Sequence, residues 1–243
     1  MSLITTLAEL DQYEDRLIQS FQQHPCFQQI QSLPKEQFHL LLLQRRFLSL
    51  AFTPVYDMVI DGIKESKARQ SARRILREEY PDRRGNVPSH REDLVSDLLN
   101  LGIHYNQIIN CTPSAQTLGV LQKTFALLAG NIDDDLYQIK LLTILRFWGE
   151  VLVSAEYTML WERIHTMGLT TSGEKRSLFY HLHMVHDAKK KSLIHLSLIG
   201  STHSDLLAVS LKTLLQDESS LSYCAKIEDE ILAIKNEFYN QFI

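Results

Sequence analysis

The sequence predicts an all-α fold, a single compact domain of seven to nine helices over residues 1–243. The first observation is a scarcity of turn formers, with 9 Gly and 6 Pro, because a multi-stranded sheet needs a turn about every 8–12 residues. The second is apolar periodicity at helical spacing along almost the whole chain. The third is a composition of 44% hydrophobic and 22% charged residues, which is typical of globular proteins with a substantial core.

Apolar stripes and prolines divide the N-terminal half into helices. A first helix over about 4–21 carries leucines and a phenylalanine on one face. A second, from about 35 to 54, contains the apolar run FHLLLLQRRFLSLAF and reaches Pro54, which we expect to kink or interrupt it. A third extends over about 58–79 and stops before Pro81.

Capping signals divide the C-terminal half. The motif SHRE at 89–92 has the form of a capping box, which places His90 in the first turn of a helix that ends near Gly102. Thr112 and the segment TSGE at 171–174 are the expected caps of later helices. The remaining expected helices cover about 113–130, 133–167, 174–198, 205–216 and 221–242.

Charge and hydropathy exclude several classes of protein. The net charge of −4 offers no general attraction for nucleic acid. No apolar run reaches the ~18 residues of a membrane span, and the N-terminus lacks the basic-then-apolar order of a signal peptide. Cys26, Cys111 and Cys224 are odd in number and far apart, so we expect neither a disulfide framework nor a zinc ribbon. These observations predict a cytoplasmic protein with no nucleic-acid or membrane partner.

The densest group of potential metal ligands lies in FYHLHMVHDAKK, residues 179–190. At about 100° per residue, His183, His186, Asp187 and Lys190 share one face of a helix. Two neutral imidazoles beside a carboxylate suit Fe(II), Mn(II) or Zn(II). The alternative interpretation is a solvated, charged helix face.

The long helix expected at about 133–167 carries two acids in its apolar part, Glu150 and Glu156. Burial of an unpaired carboxylate costs several kcal/mol, so a cation such as Arg146, protonation or a metal has to compensate. The two acids are about 120° apart around the helix, so we do not expect one site to use both. A structural salt bridge is the alternative.

A third group of ligands surrounds the loop that precedes His90. Glu78 or Glu79, at the end of one helix, can meet His90, at the start of the next, if the loop folds back. The alternative is that these glutamates form surface ion pairs with the neighbouring arginines, Arg73, Arg74 and Arg77.

Four segments of the chain occur in an order typical of one known family. HPCFQQIQSLPKEQFHLLLLQRRFL at 24–48 is similar to its His-Pro, short gap and Leu-x-x-Glu-Gln start of the second helix. RRILREEYPDRRGNVPSHREDLVSDLLNLGI at 73–103 is similar to its Asn-Leu-x-x-Glu-Glu … His-x-x-Leu … Leu-Gly segment. LVSAEYTML at 152–160 matches the position of a buried Glu, and residues 179–190 resemble its Phe-x-x-x-His-x-x-x-Asp-x-x-His helix.

Over about residues 20–200 the chain thus resembles the haem-oxygenase-like helical superfamily. The nearest resemblance is to the diiron-oxidase branch around the chlamydial death-domain-associating protein (CADD); thiaminase II (TenA) and the pyrroloquinoline-quinone synthase PqqC are more distant. The resemblance implies one or two bound irons and this ligand set: Glu78 (or Glu79), His90, Glu156, His183 and Asp187.

The last histidine of the family pattern falls on Lys190, and an ammonium has no lone pair for a metal. Lys190 could occupy the second metal position and pair with Asp187 or Glu156. Alternatively His186, on the same face, replaces the missing ligand. Lys190 and His186 are therefore the two residues for which we expect a catalytic role beside the metal.

The activity implied by the resemblance is that of an iron-dependent, O2-activating oxidase or oxygenase. It would act on a small organic substrate, in a homodimer. One alternative is a metal-free PqqC- or TenA-like enzyme with acid–base residues. Another is a non-catalytic, CADD-like interaction protein that uses the helices after residue 200. Haem oxygenase activity needs a proximal histidine on an early helix, and His24, next to Pro25, is poorly placed for it.

Overall fold

The computed structural model describes residues 4–82, 86–196 and 201–243. Within these ranges the chain forms helices and connecting loops, with one isolated bridge between Thr170 and Arg176 and no strand, so the all-α prediction is confirmed. No helix among the described residues is long and apolar enough to cross a membrane. The helices are α1 (Leu7–Gln22), α2 (Pro25–Gln28), α3 (Lys35–Gly62), α4 (Ser66–Glu78), α5 (His90–Asn100), α6 (Tyr105–Asn110), α7 (Ala115–Ala126), α8 (Asp135–Thr143), a π-helical segment (Ile144–Val151), α9 (Leu152–Thr166), α10 (Tyr180–His186), α11 (His203–Leu214), α12 (Glu218–Tyr239) and a final 3₁₀ turn (Asn240–Phe242).

Pro54 does not interrupt the second long helix as expected. Helix α3 continues through Pro54 to Gly62, and the break comes at 63–65 instead. There the side chain of Glu65 accepts the backbone N–H groups of Lys67 and Ala68 and so caps the start of α4. The chain therefore breaks at Glu65, the N-terminal cap of α4, and not at Pro54, and this break divides the helix expected at 58–79.

The helix expected at 174–198 is reduced to the seven residues of α10. At its start, the carboxylate of Asp97 accepts the backbone N–H groups of residues 178, 179 and 180 and the Ser177 hydroxyl. Beyond its end, Asp205 accepts the N–H groups of Lys190 and Lys191. Side chains from distant elements thus satisfy backbone donors that would otherwise extend the helix. Residues 197 and 198 of the expected helix lie outside the described residues.

The long central helix is present, but its middle is π-helical. Helix α8, the π-helical segment and α9 follow one another without a break from Asp135 to Thr166. The π-helical segment is buried throughout and packs against α11 and α12. Because a π-helix adds one residue per turn, it changes which side chains of the following helix share a face.

The two helices after residue 200 are part of the bundle core. Helix α12 packs against α1, α7 and α8, and α11 against α4 and α8. Arg146 is buried in this core and pairs with Glu14 of α1. Oε1 of Glu228, from α12, lies 3.9 Å from Nη1 of Arg146. Arg146 therefore compensates the charge of Glu14, and not that of Glu150 or Glu156 as considered above.

Candidate metal centre

Imidazole and carboxylate side chains converge where the ends of α4, α5, α10 and α11 meet the π-helical segment. We call this group the His/carboxylate cluster. Its members are Glu78, Glu79, His90, Glu150, His183, His186, Asp187 and His203.

One side of the cluster is centred on Glu79. Its Oε1 lies 2.8 Å from Nδ1 of His90 and 3.9 Å from Nε2 of His183. The capping box of Ser89 and Glu92 fixes the first turn that carries His90. Nδ1 of His183 donates to the Phe179 carbonyl at 2.7 Å, so its Nε2 faces the cluster with a lone pair available once it is deprotonated.

The other side is centred on His203, the first residue of α11. Its Nδ1 lies 3.1 Å from Oδ1 of Asp187 and 3.4 Å from Oε2 of Glu150, and its Nε2 lies 3.2 Å from Oε2 of Glu78. Nδ1 of His186 lies 2.5 Å from the same Asp187 oxygen. The hydroxyl of Tyr56 donates to Glu150 from α3. Four carboxylates and four imidazoles are therefore linked through direct contacts.

Burial and these contacts shift the pKa values in opposite directions. Burial raises the pKa of Glu79, but hydrogen bonds from His183 and His90 outweigh it and hold the pKa at about 2. Burial, followed by the charge of Asp187, raises the pKa of Glu150 to about 8. Glu150 is therefore the cluster carboxylate that carries a proton near neutral pH.

The imidazoles respond in the same way. Burial lowers the pKa of His183, but the hydrogen bond to Glu79 and the charge of Asp187 raise it to about 9. Burial also lowers the pKa of His203, yet its hydrogen bonds to Asp187, Glu150 and Glu78 raise it to about 12. Burial lowers the pKa of His186. Without a metal, protons on His183 and His203 thus balance part of the negative charge.

The donor set fits a transition metal. Single ligand atoms of His90, His183 and His186 lie within 4.8 Å of one another, and so do those of His186, Asp187 and His203. Nε2 of His186 is buried, and it has no hydrogen-bond partner among the described residues. This imidazole nitrogen is therefore available to a ligand such as a metal ion. Mixed imidazole and carboxylate ligands suit Fe(II), Mn(II) or Zn(II).

Most of the residues that the sequence singled out come together here. His90, His183, His186 and Asp187 are all members of the cluster. Both Glu78 and Glu79 reach it, with Glu79 the more buried at 14% side-chain exposure against 41%. Arg73, Arg74 and Arg77 form no ion pair with these glutamates among the described residues, because both carboxylates pair with histidines instead.

Glu156 is a correction to the expected ligand set. It is fully buried, as expected, but it lies apart from the cluster and forms a salt bridge, the alternative noted above. Its Oε1 accepts from Nε of Arg45 at 2.6 Å and from the Tyr239 hydroxyl, and Nζ of Lys235 lies 3.6 Å from its Oε2. Glu150, which the expected ligand set leaves out, is the acid of the long helix that reaches the cluster.

Lys190 is a second correction. Because α10 ends at His186, Lys190 does not continue the ligand-bearing helix face, and its side chain is exposed. Asp187 contacts His186 and His203 rather than Lys190. His203 was missed by the sequence reasoning. A signal for it existed: Thr202 and Asp205 form a capping box around His203, just as Ser89 and Glu92 do around His90.

Comparison with known proteins gives the fold class. No family model matches the chain, and no curated protein matches it. Among solved structures, a CADD-like protein of unknown function from Nostoc punctiforme PCC 73102 superimposes with a TM-score of 0.69 at 14% identity, over 97% of this chain and 94% of that one. A TenA family transcription regulator from Silicibacter sp. TM1040 gives 0.58 at 11% identity, over 97% and 95%. A TenA homologue from P. horikoshii OT3 gives 0.55 at 18% identity, over 98% of each chain.

The chain therefore has the haem-oxygenase-like helical fold that its sequence resembles. It is similar in structure to both the CADD-like and the TenA proteins, which confirms the resemblance at the level of a distant fold relationship.

Proposed function

We propose that this protein is an iron-dependent, O2-activating oxidase or oxygenase that acts on a small organic substrate. The observation that carries the proposal is the His/carboxylate cluster inside the bundle, with the unsatisfied Nε2 of His186 at its centre. The buried ion pairs at Glu14 and Glu156 differ from this cluster, because their cations are arginine and lysine, which have no lone pair for a metal.

The cluster offers two sets of ligands, and His186 lies next to both; a neutral imidazole has one lone pair, so His186 would join one of them. Glu79, His90 and His183 would hold a metal on one side. Glu150, Asp187 and His203 would hold one on the other, with Glu78 beside His203. Histidine and carboxylate ligands together are the donor set of non-haem Fe(II) oxygenases.

Bound Fe(II) would supply the electrons with which O2 is reduced. The chain itself supplies the surroundings. Phe52, Trp148 and Val153 line a cavity that also touches Glu79 and His183, and their apolar surfaces exclude water from that side of the cluster. The Tyr56 hydroxyl donates to Oε1 of Glu150, which leaves Oε2 of that residue directed at His203.

A metal-free acid–base enzyme is the second candidate function. Protonated His183 and His203 beside ionised Glu79 and Asp187 would form a charge-balanced cluster without a metal, and such groups can transfer protons to a cyclic organic substrate. Lys190 does not support this alternative, because its side chain is exposed.

Metal binding separates the two functions. The protein would be loaded with Fe(II) without oxygen, desalted, and analysed for bound iron, beside a His183→Ala/Asp187→Ala variant. A His181→Ala variant is the matched control, because His181 lies on the same helix but packs against Trp161. We expect about one or two irons per chain in the wild type and the control, and much less in the double variant. Less than one iron per chain, equal in all three proteins, would contradict the iron proposal.

Activity of the loaded protein is a separate measurement. Oxygen consumption after anaerobic loading should follow the bound iron across the same three proteins. If the wild type binds iron but consumes O2 no faster than the double variant does, the cluster is limited to metal binding.

A further inference from the structure

A small cavity lies beside the His/carboxylate cluster and is lined in part by two buried cations. Its volume is about 30 Å³, which admits one or two water-sized groups. Glu79 and His183 of the cluster line it together with Arg45 and Lys235. The rest of the lining is mostly apolar and includes Leu48, Phe52, Trp148, Val153, Tyr157 and Phe179.

Lys235 is the buried ammonium of this cavity. Its side chain is 1% exposed, and Nζ forms one long ion pair, 3.6 Å from Oε2 of Glu156. Its other close neighbour is the face of Trp148, whose ring centroid lies 5.5 Å from Nζ. Arg45, by contrast, donates to Glu156 at 2.6 Å and to Ser49 at 2.9 Å. Lys235 therefore has N–H donors available to an occupant of the cavity.

The charges around Glu156 do not balance. Two cations, Arg45 and Lys235, face this one carboxylate, while the other carboxylate of the cavity, Glu79, lies beside His90 and His183. Excess positive charge is costly in a buried site, and one additional negative charge at Lys235 would offset part of that cost. The strongest acceptor for a buried ammonium is a carboxylate-like oxygen.

An outer cleft lies next to the cavity. This cleft, of about 400 Å³, runs between the middle of α3 and the segment around Pro81. Ser49, Glu79 and Phe179 line both the outer cleft and the inner cavity, so these residues form the boundary that a ligand would cross between the two spaces. Only the end group of an organic molecule fits the inner cavity, and the rest would occupy the outer cleft.

We infer that the inner cavity binds the carboxylate end of an organic monoanion, with Lys235 as the residue that binds it. The inference deepens the proposed function, because such a molecule passes Glu79 and His183 and so places its adjacent atoms against the His/carboxylate cluster. Lys235 recognises the substrate, and the apolar walls favour a hydrocarbon next to the carboxylate.

The test uses formate, acetate, butanoate and hexanoate as probes, with the matching primary amides and amines. Binding to the full-length protein would be measured by calorimetry, both metal-free and loaded with Zn(II). We expect the carboxylates to bind more tightly than amides or amines of equal length, and affinity to increase with chain length. Lys235→Met should weaken carboxylate binding by about tenfold or more.

Lys226→Met is the matched control, because Lys226 lies on the same helix but is exposed and pairs with Glu230. It should bind the carboxylates as the wild type does. The amide comparison needs no variant, so the inference remains testable if Lys235→Met does not fold. Equal binding of carboxylates and amides, equal binding by Lys235→Met, or no carboxylate binding would overturn the inference. Metal content, measured in the same samples, shows separately whether the iron proposal fails.

Discussion

Metal binding at the cluster is predicted to release protons, and so to become tighter as the pH rises. In the metal-free protein the pKa of His183 is about 9 and that of His203 about 12, so both rings carry an extra proton at pH 7. Glu150, with a pKa of about 8, also carries one. An imidazole nitrogen or a carboxylate oxygen has to lose its proton before it binds a metal.

These pKa values give the size of the effect. At pH 7, His183 and His203 are each almost fully protonated and Glu150 about nine-tenths, so complete ligation releases about three protons. At pH 9, His183 and Glu150 are deprotonated to a large extent, so fewer protons are released. The logarithm of the apparent association constant should therefore rise by about 3 per pH unit near pH 7 and less steeply near pH 9.

Anaerobic titration calorimetry with Mn(II), in buffers of different ionisation enthalpy, counts these protons directly. His203→Ala should release about one proton fewer at pH 7, whereas His181→Ala should match the wild type. A release below one proton at pH 7, or an unchanged release in His203→Ala, would refute the assignment of protonated imidazoles to the cluster.

Three further predictions concern the acids of the bundle. Arg146→Leu leaves buried Glu14 with Lys189, at 3.1 Å, as its remaining cation and should lower the free energy of unfolding by about 3 kcal/mol in urea titrations. Glu14→Leu/Arg146→Leu should recover most of the loss; equal destabilisation of both variants would contradict this. Glu150→Gln should lower metal affinity about tenfold or more. Glu156→Gln should keep the metal stoichiometry but lower the free energy of unfolding by about 3 kcal/mol; the opposite pattern would return Glu156 to the ligand set. Asp97→Ala removes the acceptor of three backbone N–H groups at the start of α10. It should lower the free energy of unfolding by about 2–4 kcal/mol and also lower metal affinity; unchanged hydrogen exchange of residues 178–180 would show that the cap is dispensable.

The sequence predicted helix ends well where a capping motif and the helix end that it determines lie in the same turn. The capping box at Ser89 and Glu92 is present, and it places His90 at the first residue of α5 as expected. The end of the same helix also lies at Leu101 and Gly102 as expected. Such motifs act through hydrogen bonds across three or four residues, so the sequence alone contains both partners.

Prediction was less successful where distant groups compete for the backbone. Residues 187–196 of the expected 174–198 helix are not helical, because the carboxylate of Asp205 binds the N–H groups of residues 190 and 191. That loss removes Lys190 from the ligand face. It also lets His203 approach Asp187, sixteen residues away in the chain, and no helical spacing predicts that contact.

The sequence by itself determined the helical class, the family resemblance, and three of the ligand-bearing segments, because periodicity, capping and motif order are properties of neighbouring residues. Only the tertiary structure decided which buried acid joins the His/carboxylate cluster. Glu150 and Glu156 are both buried in one long helix, but Arg45, Lys235 and Tyr239 surround Glu156, and His203 and Tyr56 surround Glu150. A buried carboxylate takes its role from the charges that other helices bring to it, and those helices are distant in the chain.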